Sequence, residues 1–143
     1  MVRIETRYEG DLRCRSRHQP SKVELHTDAP VDNQGKGESF SPTDLVATAL
    51  GSCMLTIMGI VARRHEWDIE GSEAIVEKRM VTEPVRRIGE LEVVLRVKGG
   101  PFDDRAKQTL ERAAFTCPVH QSLHPDIKIP VSFEWLGVST TAR

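Results

Sequence analysis

A chain of 143 residues, 38% hydrophobic and 29% charged, has the makeup of one soluble globular domain spanning residues 1–143. Its formal charge of −1, with Lys and Arg interleaved among Asp and Glu, leaves no basic stripe to follow a phosphate backbone or an anionic lipid surface, so neither nucleic acid nor a membrane is expected as a partner. The opening MVRIETRYEG lacks the apolar core of a signal peptide and three cysteines at unrelated spacings make no secreted disulfide framework, so a cytoplasmic protein with reduced thiols is expected.

Three short strands come first. Val2, Ile4, Thr6 and Tyr8 alternate with charged residues, Gly10-Asp11 turns the chain, and the pattern resumes through Leu12, Cys14 and Ser16 and again through Val23, Leu25 and Thr27. A loop rich in turn formers, DAPVDNQGKGESF, then leads to a helix whose start is written locally. Ser41 is placed to N-cap it, Pro42 fits the first helical position, and Asp44 stands where a capping-box acid reaches back. From Leu45 to Ala62 this helix has 18 residues without a charge, the lower limit for a membrane span. Its small and polar members, Thr48, Gly51, Ser52, Thr56 and Gly59, and the half-wet strands on either side fit the centre of a soluble core instead.

Strand patterns return weakly over Ile69 to Thr82 and clearly at Leu91, Val93, Leu95 and Val97, until KGGPF ends the pair. Phe102, Ala106, Leu110, Ala113 and Cys117 recur at helical spacing, so a second amphipathic helix delivers Cys117 at the end of its apolar face, where Pro118 interrupts it. Ile127, Ile129, Val131, Phe133 and Trp135 give a last strand, with Pro130 marking an edge or a bulge. The order βββαββαβ lacks a regular strand-helix-strand rhythm and predicts an α+β domain with antiparallel sheets. One small sheet covers only one side of a helix that is apolar all round, so a second copy of the chain is expected to cover the rest, giving a homodimer.

Each sulfur taken singly reads as a packing atom, because free cysteine usually behaves as a small buried hydrophobe. Cys14 fits that reading on a strand, and Cys53 shares its helix face with Val46, Ala49, Leu50, Ile57 and Ile60. Cys117 differs: in TCPVHQSL it precedes a proline that can open a new helical turn, whose free amides favour a thiolate.

Together, GKGESFSPTDLVATALGSCMLTIM and TCPVHQSL resemble the OsmC/Ohr family of thiol-dependent hydroperoxide reductases, and the strand and helix order matches over essentially the whole chain. The resemblance implies an intertwined α+β homodimer built around long central helices, with two cysteine sites at the interface. It implies that Cys53 is the peroxidatic cysteine and Cys117 the one that resolves it, that organic hydroperoxides are the substrates, that an external dithiol is the reductant, and that no cofactor takes part. It also implies an activating arginine near the first strand turn, where Arg13 is the nearest match in the bank Arg13, Arg15 and Arg17.

The chemistry sets a demand. A thiol with a pKa near 8.5 is mostly protonated at neutral pH and an apolar helix face opposes its ionisation, so Cys53 needs help. Lowering the pKa by about two units takes roughly 2.7 kcal/mol, more than the 0 to about 1 kcal/mol of an exposed ion pair. A partly buried arginine giving charge-assisted hydrogen bonds supplies about 1.5–3 kcal/mol per bond. The organic-hydroperoxide branch carries a glutamate directly after the helix-opening proline, but this chain has Thr43 there, and Asp44 is the nearest acid. Asp44 lies about 13 Å along the axis from Cys53 and on the opposite helix face, so it acts, if at all, through an arginine or on another subunit's site.

Three other readings compete with this one. CPVH with His124 offers zinc only one Cys-x-x-His pair, and acyl transfer needs His120 or His65 within reach of a sulfur. The main alternative is a stress-related dimer of the same fold that binds a lipid-like ligand without turnover.

Overall fold

The computed structural model describes residues 1–137. Its elements run β1 (Ile4–Gly10), β2 (Arg13–His18), β3 (Glu24–Asp28), α1 (Pro42–Arg64), β4 (Glu73–Val81), β5 (Arg87–Lys98), α2 (Asp104–Phe115), α3 (Pro118–Ser122) and β6 (Val131–Gly137), with a 3-10 turn at Val31–Asn33. The class is α+β, and the order matches the sequence pattern except for the 3-10 turn and the short α3. The chain divides into two compact units, Met1–Val46 and Ala47–Arg143.

In the first unit, β1, β2 and β3 form an antiparallel sheet in which Tyr8 faces Cys14 and Cys14 faces Thr27. The expected capping box is present: the Ser41 N–H donates to Asp44 Oδ2 at 2.8 Å and the Asp44 N–H donates to Ser41 Oγ at 3.1 Å. Two of the four orphan amides of a helix start are thereby satisfied, and α1 begins where the local chemistry says it should.

In the second unit, β4 and β5 pair antiparallel and β5 and β6 pair parallel, Val93 opposite Val131 and Leu95 opposite Phe133. The second sheet is therefore mixed, a departure from the expected wholly antiparallel arrangement. The cause is the connection: residues 99–130 carry α2 and α3 back along the sheet, the crossover a parallel pair requires. Pro130 precedes β6, and β6 is an edge strand, so the missing N–H interrupts no ladder.

Leu91, Val93, Leu95 and Val97 of β5, Leu50, Met54 and Met58 of α1, and Leu110 of α2 form the core, each 0–1% exposed. Gly51 marks the close approach of α1 to β4: a Cβ there would lie 3.1 Å from a Val76 methyl and 3.3 Å from Ala74 Cβ. Ala47, Leu50, Gly51, Met54, Met58 and Ala62 of α1 are buried, whereas Ile60 is 43% exposed. By length and composition α1 could cross a membrane, and 33% of its most apolar stretch is buried in the fold.

Candidate active site

Two helices bring two sulfurs together. Cys53 sits at the margin between the buried and open sides of α1, half-buried, one residue before the fully buried Met54. Cys117 arrives by a different route. Asp103 caps α2 by accepting the Ala106 N–H at 2.8 Å, Ala106, Leu110, Ala113 and Ala114 turn inward, and the helix ends at Phe115, short of the expected Cys117. Thr116 closes it through its N–H to the Ala113 carbonyl, Cys117 becomes the N-cap of α3, and Pro118 takes the first helical position. Phe115 meets the His120 ring edge-on at 5.9 Å and the Phe133 ring at 6.3 Å, tying the turn to β6.

The Cys117 sulfur is 0% exposed and hydrogen-bonded to the Cys53 thiol; neither is in a disulfide. Cys117 Sγ also accepts the backbone N–H of His120 at 3.4 Å and is reached by the N–H of Val119. Burial pushes the Cys117 thiol up from its ordinary value, the hydrogen bond to Cys53 pushes it further, and the two amides pull it partly back. The amides favour the thiolate, as Pro118 led one to expect, but desolvation outweighs them. Burial thus favours the protonated form of Cys117 beside Cys53.

The other candidates sit in the first unit. Arg13 Nη2 donates to Glu38 Oε2 at 2.7 Å and lies 3.6 Å from Asp28 Oδ2, the Asp28 carboxylate being 2% exposed. The hydrogen bond to Glu38 first, then the charges of Glu38 and Asp28, raise the Arg13 pKa. Arg13 Nε and Asp28 Oδ1 are buried without hydrogen-bond partners, beside a cavity of about 230 Å³ lined also by Glu9, His26 and Glu38. Arg15 is paired with Glu9 and Glu24. Asp44 holds the capping box. Asp28 and Glu38 were missed in the sequence, although Asp28 stands directly opposite Arg13 in the β2–β3 register. Among the described residues no group of three or more His, Cys, Asp and Glu side chains is disposed to hold a metal ion.

These elements make a mixed-sheet α+β fold in which a helix-borne thiol lies beside a buried second thiol. Comparison with known families and structures makes this specific. The family model described as OsmC-like protein matches residues 35–132, and the chain belongs to the OsmC family. A Psychrobacter arcticus structure, provisionally described as an osmotic stress induced and detoxification response protein, is 48% identical over 94% of this chain and 96% of its own, with a TM-score of 0.87. The OsmC-like protein of Mycoplasma pneumoniae, 17% identical over 97% and 98%, has the same fold with a TM-score of 0.80. So does an organic hydroperoxide resistance protein of Elizabethkingia anophelis, 13% identical over 94% and 95%, at 0.74. No curated protein matches the chain.

Proposed function

We propose that this protein is a thiol-dependent peroxidase that reduces organic hydroperoxides, with Cys53 as the peroxidatic and Cys117 as the resolving cysteine. The observation that carries the proposal is the pairing of the half-buried Cys53 thiol with the fully buried Cys117 thiol. The pair is chemically unequal, and the unequal members suit the two steps. The Cys53 thiolate attacks the distal peroxide oxygen and becomes a sulfenic acid as the alcohol departs; Cys117 then condenses with the sulfenic acid to a disulfide. An external dithiol returns both sulfurs to thiols. Family membership and the hydroperoxide-resistance description of the Elizabethkingia anophelis neighbour support the substrate class.

Two further parts belong to the same reading. A second copy of the chain covers the open side of α1, making the working unit a homodimer. Arg13, held by Glu38 and Asp28, is the activating arginine that the family resemblance implies, with Asp44 serving chiefly as a cap.

Consumption of an alkyl hydroperoxide in the presence of a small dithiol tests the proposal. The wild-type protein is expected to turn over and Cys53→Ser to be inactive. A dimer that only binds ligands would leave the peroxide unconsumed, and equal residual activity in Cys53→Ser and Cys117→Ser would contradict the order of the two cysteines.

A further inference from the structure

The reaction has two proton transfers to place. When the Cys53 thiolate attacks the distal oxygen, the O–O bond breaks and the proximal oxygen leaves as an alkoxide, which must gain a proton. Before Cys117 can attack the resulting sulfenic acid, its thiol must lose one, because the thiolate is the nucleophile. The Cys117 sulfur is 0% exposed, so solvent base has no direct access to it. Its contacts are the Cys53 thiol and two backbone amides, which are donors rather than bases.

We propose that Cys117 is the general acid of the first chemical step as well as the nucleophile of the second: its buried S–H, beside Cys53, passes its proton to the departing alkoxide, and the thiolate so formed attacks the sulfenic acid. This inference rests on the peroxidase reading above. In the first step the Cys53 thiolate, the hydroperoxide and the Cys117 thiol become the Cys53 sulfenic acid, the alcohol and the Cys117 thiolate. In the second, the Cys117 thiolate displaces hydroxide from the sulfenic acid and the disulfide forms. Two electrons pass from the two sulfurs to the peroxide, and every proton has a destination.

Each structural feature of Cys117 fits this double role. An aliphatic alkoxide is a much stronger base than any thiolate, so the transfer runs downhill even from a thiol held protonated by burial. The N–H groups of His120, at 3.4 Å, and of Val119 are fixed by the α3 turn and meet the new negative charge without reorganisation. Burial also enforces order, since Cys117 stays a poor nucleophile until a peroxide has been cleaved beside it.

The test measures the rate of Cys53 sulfenic acid formation in the wild type, Cys117→Ala and Cys117→Ser with two oxidants. Tert-butyl hydroperoxide expels a basic alkoxide, whereas peracetic acid expels acetate, which needs no proton. Cys117→Ala is expected to slow the reaction with tert-butyl hydroperoxide about 100-fold more than that with peracetic acid, the usual worth of a positioned general acid. Cys117→Ser, whose hydroxyl still donates, is expected to recover part of the loss. Thermal melting of each variant reports that it has folded. Equal slowing with both oxidants, or none with either, would overturn the inference while leaving the peroxidase reading intact; a wild-type protein forming no sulfenic acid with either oxidant would overturn both.

Discussion

The two three-stranded sheets treat their apolar faces differently. In the β4-β5-β6 sheet, Leu91, Val93 and Leu95 are completely buried, and helix residues of the same unit, Leu50, Met54, Met58 and Leu110, are buried with them. In the β1-β2-β3 sheet, Ile4 is 63%, Tyr8 64% and Leu25 43% exposed. Both sheets show apolar and polar alternation, so that pattern identifies the face meant for burial without saying whether the same chain supplies the cover. The Ala47–Arg143 unit holds its own core and both candidate sulfurs, whereas the Met1–Val46 unit carries its organisation in charge, with Asp28 and Glu38 around Arg13.

Substitutions can break or sharpen this contrast. The largest effect is expected in the second unit: Leu95→Ala removes a fully buried side chain and should lower unfolding stability by about 2–5 kcal/mol in chemical denaturation, whatever the protein concentration. Leu25→Ala, at a side chain 43% exposed, should instead cost only about 0.5 kcal/mol in dilute protein, and a cost that grows with concentration would report that the proposed second copy covers it. Equal costs for the two variants at all concentrations would erase the distinction.

A middle-sized effect is expected where the first unit starts α1. Ser41→Ala should cost about 1 kcal/mol by removing the side-chain acceptor of the Asp44 N–H, and thermal unfolding would register it. The smallest effect concerns pH. The Cys117 pKa is raised in the native state, so above the ordinary thiol range, about 8.5, the unfolded chain has released a proton that the native chain retains. Stability from this thiol is therefore full below that range and declines as pH rises toward its native pKa. Melting curves of Cys117→Ala should show a shallower alkaline decline than those of the wild type.

What was legible in the sequence was local. The Ser41/Asp44 box is a four-residue signal, and it is present to the hydrogen bond. The alternation at Leu91, Val93, Leu95 and Val97 correctly placed the most buried strand. Features set by distant groups were not legible. The parallel pairing of β6 depends on the path of residues 99–130, and the Arg13 cluster joins residues brought together by strand register and a returning loop. At Cys117 the amides could be foreseen from Pro118, but desolvation, which decides the balance, is a property of the packed fold. The closeness of Cys53 and Cys117 was implied only by family resemblance.

The central claim is that these two sulfurs form one redox couple. It is tested most directly by adding one equivalent of an organic hydroperoxide to the reduced protein and mapping its disulfides by peptide mass spectrometry. A Cys53–Cys117 crosslink within one chain is the expected result. Two untouched thiols, or a crosslink through Cys14, would contradict it.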